Sequence, residues 1–125
     1  MIIRESYRFI KHINELRESY PSIEDDVQNL KNELPTIAYK VITKLNIPLR
    51  EILFKDGTKI LPWRIRLNNS DLNKGKRHGY RVFYCKNGNG ETVLLGIFMK
   101  PKLEDGQYDI IAKELILSAQ EEKII

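Results

Sequence analysis

The segment Trp63-Arg64-Ile65-Arg66-Leu67 alternates apolar and basic residues, which is typical of a strand with one face on a core. Successive side chains of a strand point to opposite sides, so the three apolar residues should face the core and the two arginines should face away. The segment Gly79-Tyr80-Arg81-Val82-Phe83-Tyr84 repeats the pattern and places Arg81 on the face of Phe83 and Cys85. If the two strands pair antiparallel, three arginines should converge on one solvated sheet surface, where their planar guanidinium groups match phosphate geometry.

Length and composition indicate one globular domain over residues 1–125. Hydrophobic residues make up 42% and charged residues 30% of the chain, which argues against disorder. The single cysteine, Cys85, lies in an apolar run and is interpreted as a buried thiol in a reducing compartment. Residues 1–20 contain no apolar run long enough for a signal sequence or a membrane span, so we expect a cytoplasmic protein with no membrane partner.

Basic residues concentrate in the middle of the chain, although the formal net charge is only +4. Between Trp63 and Gly90 the only acidic residue is Asp71, whereas acidic residues gather in 15–33 and 104–122. The basic residues of this region are Arg64, Arg66, Lys74, Lys76, Arg77, Arg81 and Lys86. A local basic patch of this kind indicates a polyanion site. For the connection between the strands alone, a solvated lysine-rich loop is the simpler interpretation.

In the N-terminal third, the sequence predicts a short strand at residues 1–3 followed by a helix hairpin. Ser6 should cap the first helix. Ser22 should cap the second, with Asp25 returning a capping hydrogen bond, and Pro35 should end it. The apolar residues of both segments recur at helical spacing, and we interpret these stripes as core.

Residues 36–62 allow more than one assignment, because residues 37–42 fit either a strand or a helix. Within this region Asp56-Gly57 stands between two apolar runs and predicts a tight hairpin. Asn87-Gly88-Asn89-Gly90 predicts a second hairpin turn, between the strand that contains Arg81 and a buried apolar strand.

A last helix is predicted from about residue 109 to 119. The fold class is therefore α+β, with an N-terminal helix hairpin packed on a small, mainly antiparallel β-sheet and a C-terminal helix.

Motifs of several other functional classes are missing. Gly75-Lys76 lacks the upstream glycine and the following Ser or Thr of a phosphate-binding P-loop. Two histidines and one cysteine are too few for a structural zinc site. The acidic run Glu24-Asp25-Asp26 is explained by its place at a helix start. We expect neither a metal nor another cofactor.

With these elements in order, the sequence resembles the RelE/HigB-like toxins of toxin–antitoxin systems, in the RelE/ParE superfamily. The likeness is strongest from Trp63 to Lys100. There, residues 64–71, 75–84 and 94–100 look like successive strands of the family and its lysine-rich connection. Residues 20–26 are similar to the family's N-terminal hairpin.

The resemblance implies a toxin that cleaves mRNA in the ribosomal decoding site and is neutralised by a cognate antitoxin, of helix-turn-helix type. It also implies attack of a ribose 2′-OH on the adjacent phosphate, without a metal. The residues matched to catalytic positions are Arg64, Arg66, Arg81 and Lys100. The residues expected to bind RNA are Lys74, Lys76, Arg77, His78 and Lys102. Candidates for acid/base catalysis are Tyr108 and Glu104.

Three departures from the family leave alternatives open. Residues 36–62 are longer and more apolar than the corresponding connection, no general base is aligned, and His78 stands where Gly or Ser is commoner. We interpret His78 as an incidental loop residue rather than an added acid/base group. The alternatives to a nuclease are a same-fold ParE-like DNA gyrase poison and a non-catalytic RNA- or protein-binding module.

Overall fold

The computed structural model of the chain describes residues 1–40, 42–73, 75–100 and 105–125. The sequence-predicted site residues Lys74, Lys102 and Glu104 lie outside these ranges, as does the side chain of Arg77. The helices are α1 Tyr7–Arg17, α2 Ile23–Ile37 and α3 Tyr108–Glu121. The strands are β1 Ile3–Glu5, β2 Asn46–Pro48, β3 Ile52–Leu53, β4 Lys59–Ile60, β5 Trp63–Leu67, β6 Tyr80–Lys86 and β7 Thr92–Met99. No helix in the described ranges is long and apolar enough to cross a membrane.

Five of the strands form one mixed sheet in the order β1-β7-β6-β5-β2. Only β1 runs parallel to its neighbour, β7, and the other three pairings are antiparallel. Strands β3 and β4 form a separate antiparallel hairpin. The predicted α+β class and the mainly antiparallel sheet are therefore confirmed.

The sheet buries apolar side chains on both faces. On one face, α1 and α2 pack against Trp63, Ile65 and Leu67, as the alternation in β5 predicts. On the other face, α3 packs against Phe83 and Cys85. Burial raises the pKa of the Cys85 thiol to about 12, so at neutral pH it is a protonated core group, as the sequence suggests.

The two N-terminal helices form where the sequence predicts them, with local differences. Ser6 caps α1, its Oγ accepting a hydrogen bond from Phe9 N at 3.1 Å. Ser22 occupies the N-cap position of α2 as predicted, but its side chain makes no capping bond. The predicted capping bond from Asp25 is wrong, because Ser22 N donates instead to Asp71 Oδ2 at 2.9 Å. Pro35 does not end α2 either. It lies in the last turn, where a missing N–H costs one hydrogen bond and the helix can still continue to Ile37.

Both predicted hairpin turns are present. Gly57 and Gly90 adopt positive φ angles of 88° and 77°, which a residue without Cβ accommodates without strain. Asn87 fixes the second turn, its Oδ1 accepting from Asn89 N at 3.0 Å and Glu91 N at 2.9 Å.

Of residues 37–42, which fit either a strand or a helix, Ile37 ends α2 and residues 38–40 form a turn. The edge strand β2 follows and includes Pro48, because a residue without an N–H is tolerated at a sheet edge.

Helix α1 is attached by two side chains to β7, beyond the residues that pair with β1. Ser6 Oγ donates to Leu95 O at 3.0 Å, and His12 Nδ1 accepts from Ile97 N at 3.2 Å. The His12 ring also packs on Phe98, with centroids 4.6 Å apart. The imidazole must therefore be unprotonated at Nδ1 for this contact to form.

This contact predicts a pH-dependent stability. Burial lowers the pKa of His12 below its usual 6.5, Arg8 and Lys11 act in the same direction, and Glu15 opposes them. Because the unfolded chain takes up the proton first, the stabilisation is complete above pH 6.5 and declines as the pH falls below it. His12→Gln keeps an acceptor without a titrating group. In urea unfolding between about pH 7.5 and about pH 5, the parent should therefore lose more stability than the variant. An equal loss of unfolding free energy in the parent and the variant would contradict the prediction.

Candidate nucleic-acid interface

The three arginines predicted to share one face do so. In the pairing of β5 with β6, Arg66 lies directly opposite Arg81, and Arg64 lies opposite Phe83. Residues opposite one another in an antiparallel pair project to the same side of the sheet. The alternation in the sequence is thus sufficient to bring the three residues together.

The predicted solvated character of this face is wrong for two of the three. Arg64 is 4% and Arg81 1% exposed, whereas Arg66 is half-buried. The cause is α3, whose first turn packs over the sheet here. The Arg64 guanidinium carbon lies 5.5 Å from the centroid of the Tyr108 ring. Arg64 also donates from Nη1 to Lys44 O at 3.1 Å, in the segment before β2.

Arg81 is the most buried of the three arginines and holds neighbouring elements together. Its Nη1 donates to Lys76 O and Tyr80 O, both at 3.2 Å. It also hydrogen-bonds the Tyr108 side chain. Burial lowers the pKa of the Arg81 guanidinium, and the contact with Tyr108 opposes this shift. Arginine stays charged even so, and Arg81 thereby ties the turn before β6 to the start of α3.

A groove of about 480 Å³ opens beside the arginines. Its walls come from β5, the first turn of α3 and the segment around β2. The lining residues with charged or hydroxyl groups are Lys44, Arg50, Arg64, Arg66, Tyr108 and Asp109. Among the described lining residues, four cations against one carboxylate make this groove basic, as a phosphate-binding surface requires.

Sequence reasoning missed Lys44 and Arg50. Both are exposed and lie on either side of β2. Arg50 is held in place through its backbone, since Arg50 N donates to Asp109 Oδ1 at 3.0 Å. No local pattern marks these residues, because they reach the groove only through pairing of β2 with β5.

Arg66 is the least buried of the three arginines, so its donors are the best placed for a ligand in the groove. Its Nε is buried and has no hydrogen-bond partner among the described residues. Nor does an ion pair join it to a carboxylate in that part of the chain. A phosphate or carboxylate in the groove would satisfy this guanidinium with a forked, charge-assisted contact.

Of the two acid/base candidates, Tyr108 is the one in the described part of the chain, and it lies close to the arginines. Its ring packs edge-on to Phe83, with centroids 5.9 Å apart, and carries the Arg64 contact on its face. Its side chain bonds Arg81. The residue is buried on the sheet side yet still lines the groove.

The other predicted residues lie elsewhere. Lys76 Nζ is 3.7 Å from Glu33 Oε2 of α2, on the helix-hairpin side. His78 is exposed in the short turn before β6. Lys100 is half-buried at the end of β7, its N donating to Gly79 O at 3.2 Å. Of the residues predicted to be catalytic, the structure thus brings Arg64 and Arg66 into the groove, whereas Arg81 is buried and does not line it.

No family model matches the chain, and no curated protein matches it.

Proposed function

We propose that the chain is the toxin of a type II toxin–antitoxin system and acts in the cytoplasm as a ribosome-dependent mRNA endoribonuclease. The observation that carries the proposal is the basic groove, where Arg64 and Arg66 lie beside Tyr108. The resemblance of residues 63–100 to RelE/HigB-like toxins supports the reaction and its partners. These are mRNA on the ribosome and a cognate helix-turn-helix antitoxin.

The reaction is attack of a ribose 2′-OH on the adjacent phosphorus. A bond forms from phosphorus to the 2′ oxygen, and the bond to the 5′ oxygen of the next nucleotide breaks. The phosphate gains negative charge as it becomes pentavalent. The guanidinium groups of Arg64 and Arg66, fixed in a partly dehydrated groove, stabilise that charge.

Other groove residues have supporting roles. Tyr108 is the candidate proton relay, because its side chain contacts Arg64 and Arg81. Its hydroxyl would take the 2′-OH proton while giving its own proton to the departing 5′ oxygen. Lys44 and Arg50, which are exposed, hold flanking phosphates. Arg81 is a positioning residue, since it is buried and, unlike Arg64 and Arg66, does not line the groove.

A second function, a non-catalytic RNA-binding module, is favoured by one observation. Arg81, matched to a catalytic position, is 1% exposed and bonds backbone carbonyls of its own chain. A module that only binds RNA needs the groove and not the reaction.

The test is cleavage by the purified chain of an mRNA loaded on ribosomes, with cuts mapped by primer extension. Cuts should appear only with ribosomes present and vanish when initiation is blocked. Cleavage of naked RNA at the same rate would overturn the proposal. Binding to ribosomes without any cleavage would support the binding module. Arrest of replication before translation in induced cells would support the gyrase poison.

A further inference from the structure

A second groove, of about 420 Å³, lies between the β3–β4 hairpin and the start of α3. Two large apolar side chains on opposite walls face solvent there: Leu53 is 66% and Ile110 61% exposed. Ile52 adds a third apolar side chain, and Lys113 and Glu51 are charged neighbours. Large apolar residues gathered in one groove, rather than scattered singly, mark an interaction site.

This groove continues into the basic groove. Arg50 and Asp109 line both, and the contact from Arg50 N to Asp109 Oδ1 joins the two walls. A ligand that extends along the surface therefore meets apolar side chains at one end. At the other end it meets the cations of the basic groove.

We infer that these two grooves together bind an acidic amphipathic segment of a partner protein. Apolar side chains of the segment would lie between Leu53 and Ile110, and its carboxylates would pair with Arg50 and Arg66. A peptide fits this surface better than RNA does, because the described lining of this second groove includes no aromatic side chain on which a base could stack.

The test uses a phage-displayed library of random peptides of about 16 residues, selected against the full chain. Enriched peptides should combine acidic with large apolar residues. Their affinities for the parent and for variants are then measured by fluorescence anisotropy. Ile110→Ser and Leu53→Ser should each weaken binding about tenfold or more, because each removes an apolar contact.

The matched control is Leu117→Ser, another apolar residue of α3, 41% exposed and outside the groove. It should leave the affinity unchanged. All three positions are exposed, so the variants should fold, and thermal unfolding checks this. Arg66→Gln should weaken binding and flatten its salt dependence, since a charge pair is lost.

Several results would overturn the inference. They are no enrichment, enriched peptides without acidic residues, or an equal effect of Ile110→Ser and Leu117→Ser. The affinity of a single-stranded RNA oligonucleotide is measured with the same variants. If Ile110→Ser weakens RNA binding as much as it weakens peptide binding, the groove binds RNA instead. Because peptide binding is measured without ribosomes or mRNA, it can fail or succeed independently of the cleavage test.

Discussion

Arg66→Lys should lower the rate of mRNA cleavage at saturating ribosomes by about 100-fold, the typical loss when one donor to a developing oxyanion is removed. Lysine keeps the charge but not the planar fork that can give two parallel hydrogen bonds to a phosphate. Arg66 is the half-buried arginine of the groove, and its Nε has no partner among the described residues. The loss should appear in the saturated rate, because the fork acts most strongly on the transition state.

The control for this variant is Arg17→Lys. Arg17 pairs with Glu24 on the helix hairpin, so the same chemical change is made away from the groove. Arg17→Lys should cleave like the parent. If Arg66→Lys also cleaves like the parent, Arg66 has no part in the reaction step. If the variant only needs a higher ribosome concentration to reach the parent's maximal rate, Arg66 contributes to binding alone.

The antiparallel strands β5, β6 and β7 were predictable from sequence because their patterns are local, whereas the edge strand β2 and the parallel pairing of β1 were not. Alternation in Trp63–Leu67 fixes which residues share a face. The Asn-Gly repeat at 87–90 fixes the pairing of β6 with β7 next to the turn, and the register then shifts between Tyr84 and Phe83. The end of α2 was not predictable from Pro35. Whether a proline ends a helix depends on how many turns remain, and here it falls in the last turn.

The site was predictable in part, for a related reason. Strand periodicity places the three arginines on one side, but it carries no information on what covers that side. Burial of Arg64 and Arg81 depends on α3, which lies far along the chain and packs there through its own apolar stripe. Lys44 lines the groove only because β2 pairs with β5 at the edge of the sheet, and no sequence motif predicts that pairing.

Arg81→Met should lower the free energy of unfolding by about 2–4 kcal/mol, in the range expected when a buried hydrogen-bond network loses its donor. Methionine fills much of the volume but cannot donate to Lys76 O, Tyr80 O or the Tyr108 side chain. These acceptors would stay buried without their donor. The change should appear as a lower urea midpoint with an unchanged slope, because the surface exposed on unfolding is nearly the same.

Arg66→Met is the matched control, since it makes the same substitution directly across the strand pair. Arg66 is half-buried and makes no ion pair in the described part of the chain, so its loss should cost less than about 1 kcal/mol. The two positions should therefore differ in effect: substitution of Arg66 should lower the cleavage rate, and substitution of Arg81 should lower the free energy of unfolding. If Arg81→Met is as stable as the parent yet fails to cleave at saturating ribosomes, Arg81 must reach the reacting phosphate. The catalytic role that the sequence assigns to it would then replace the positioning role.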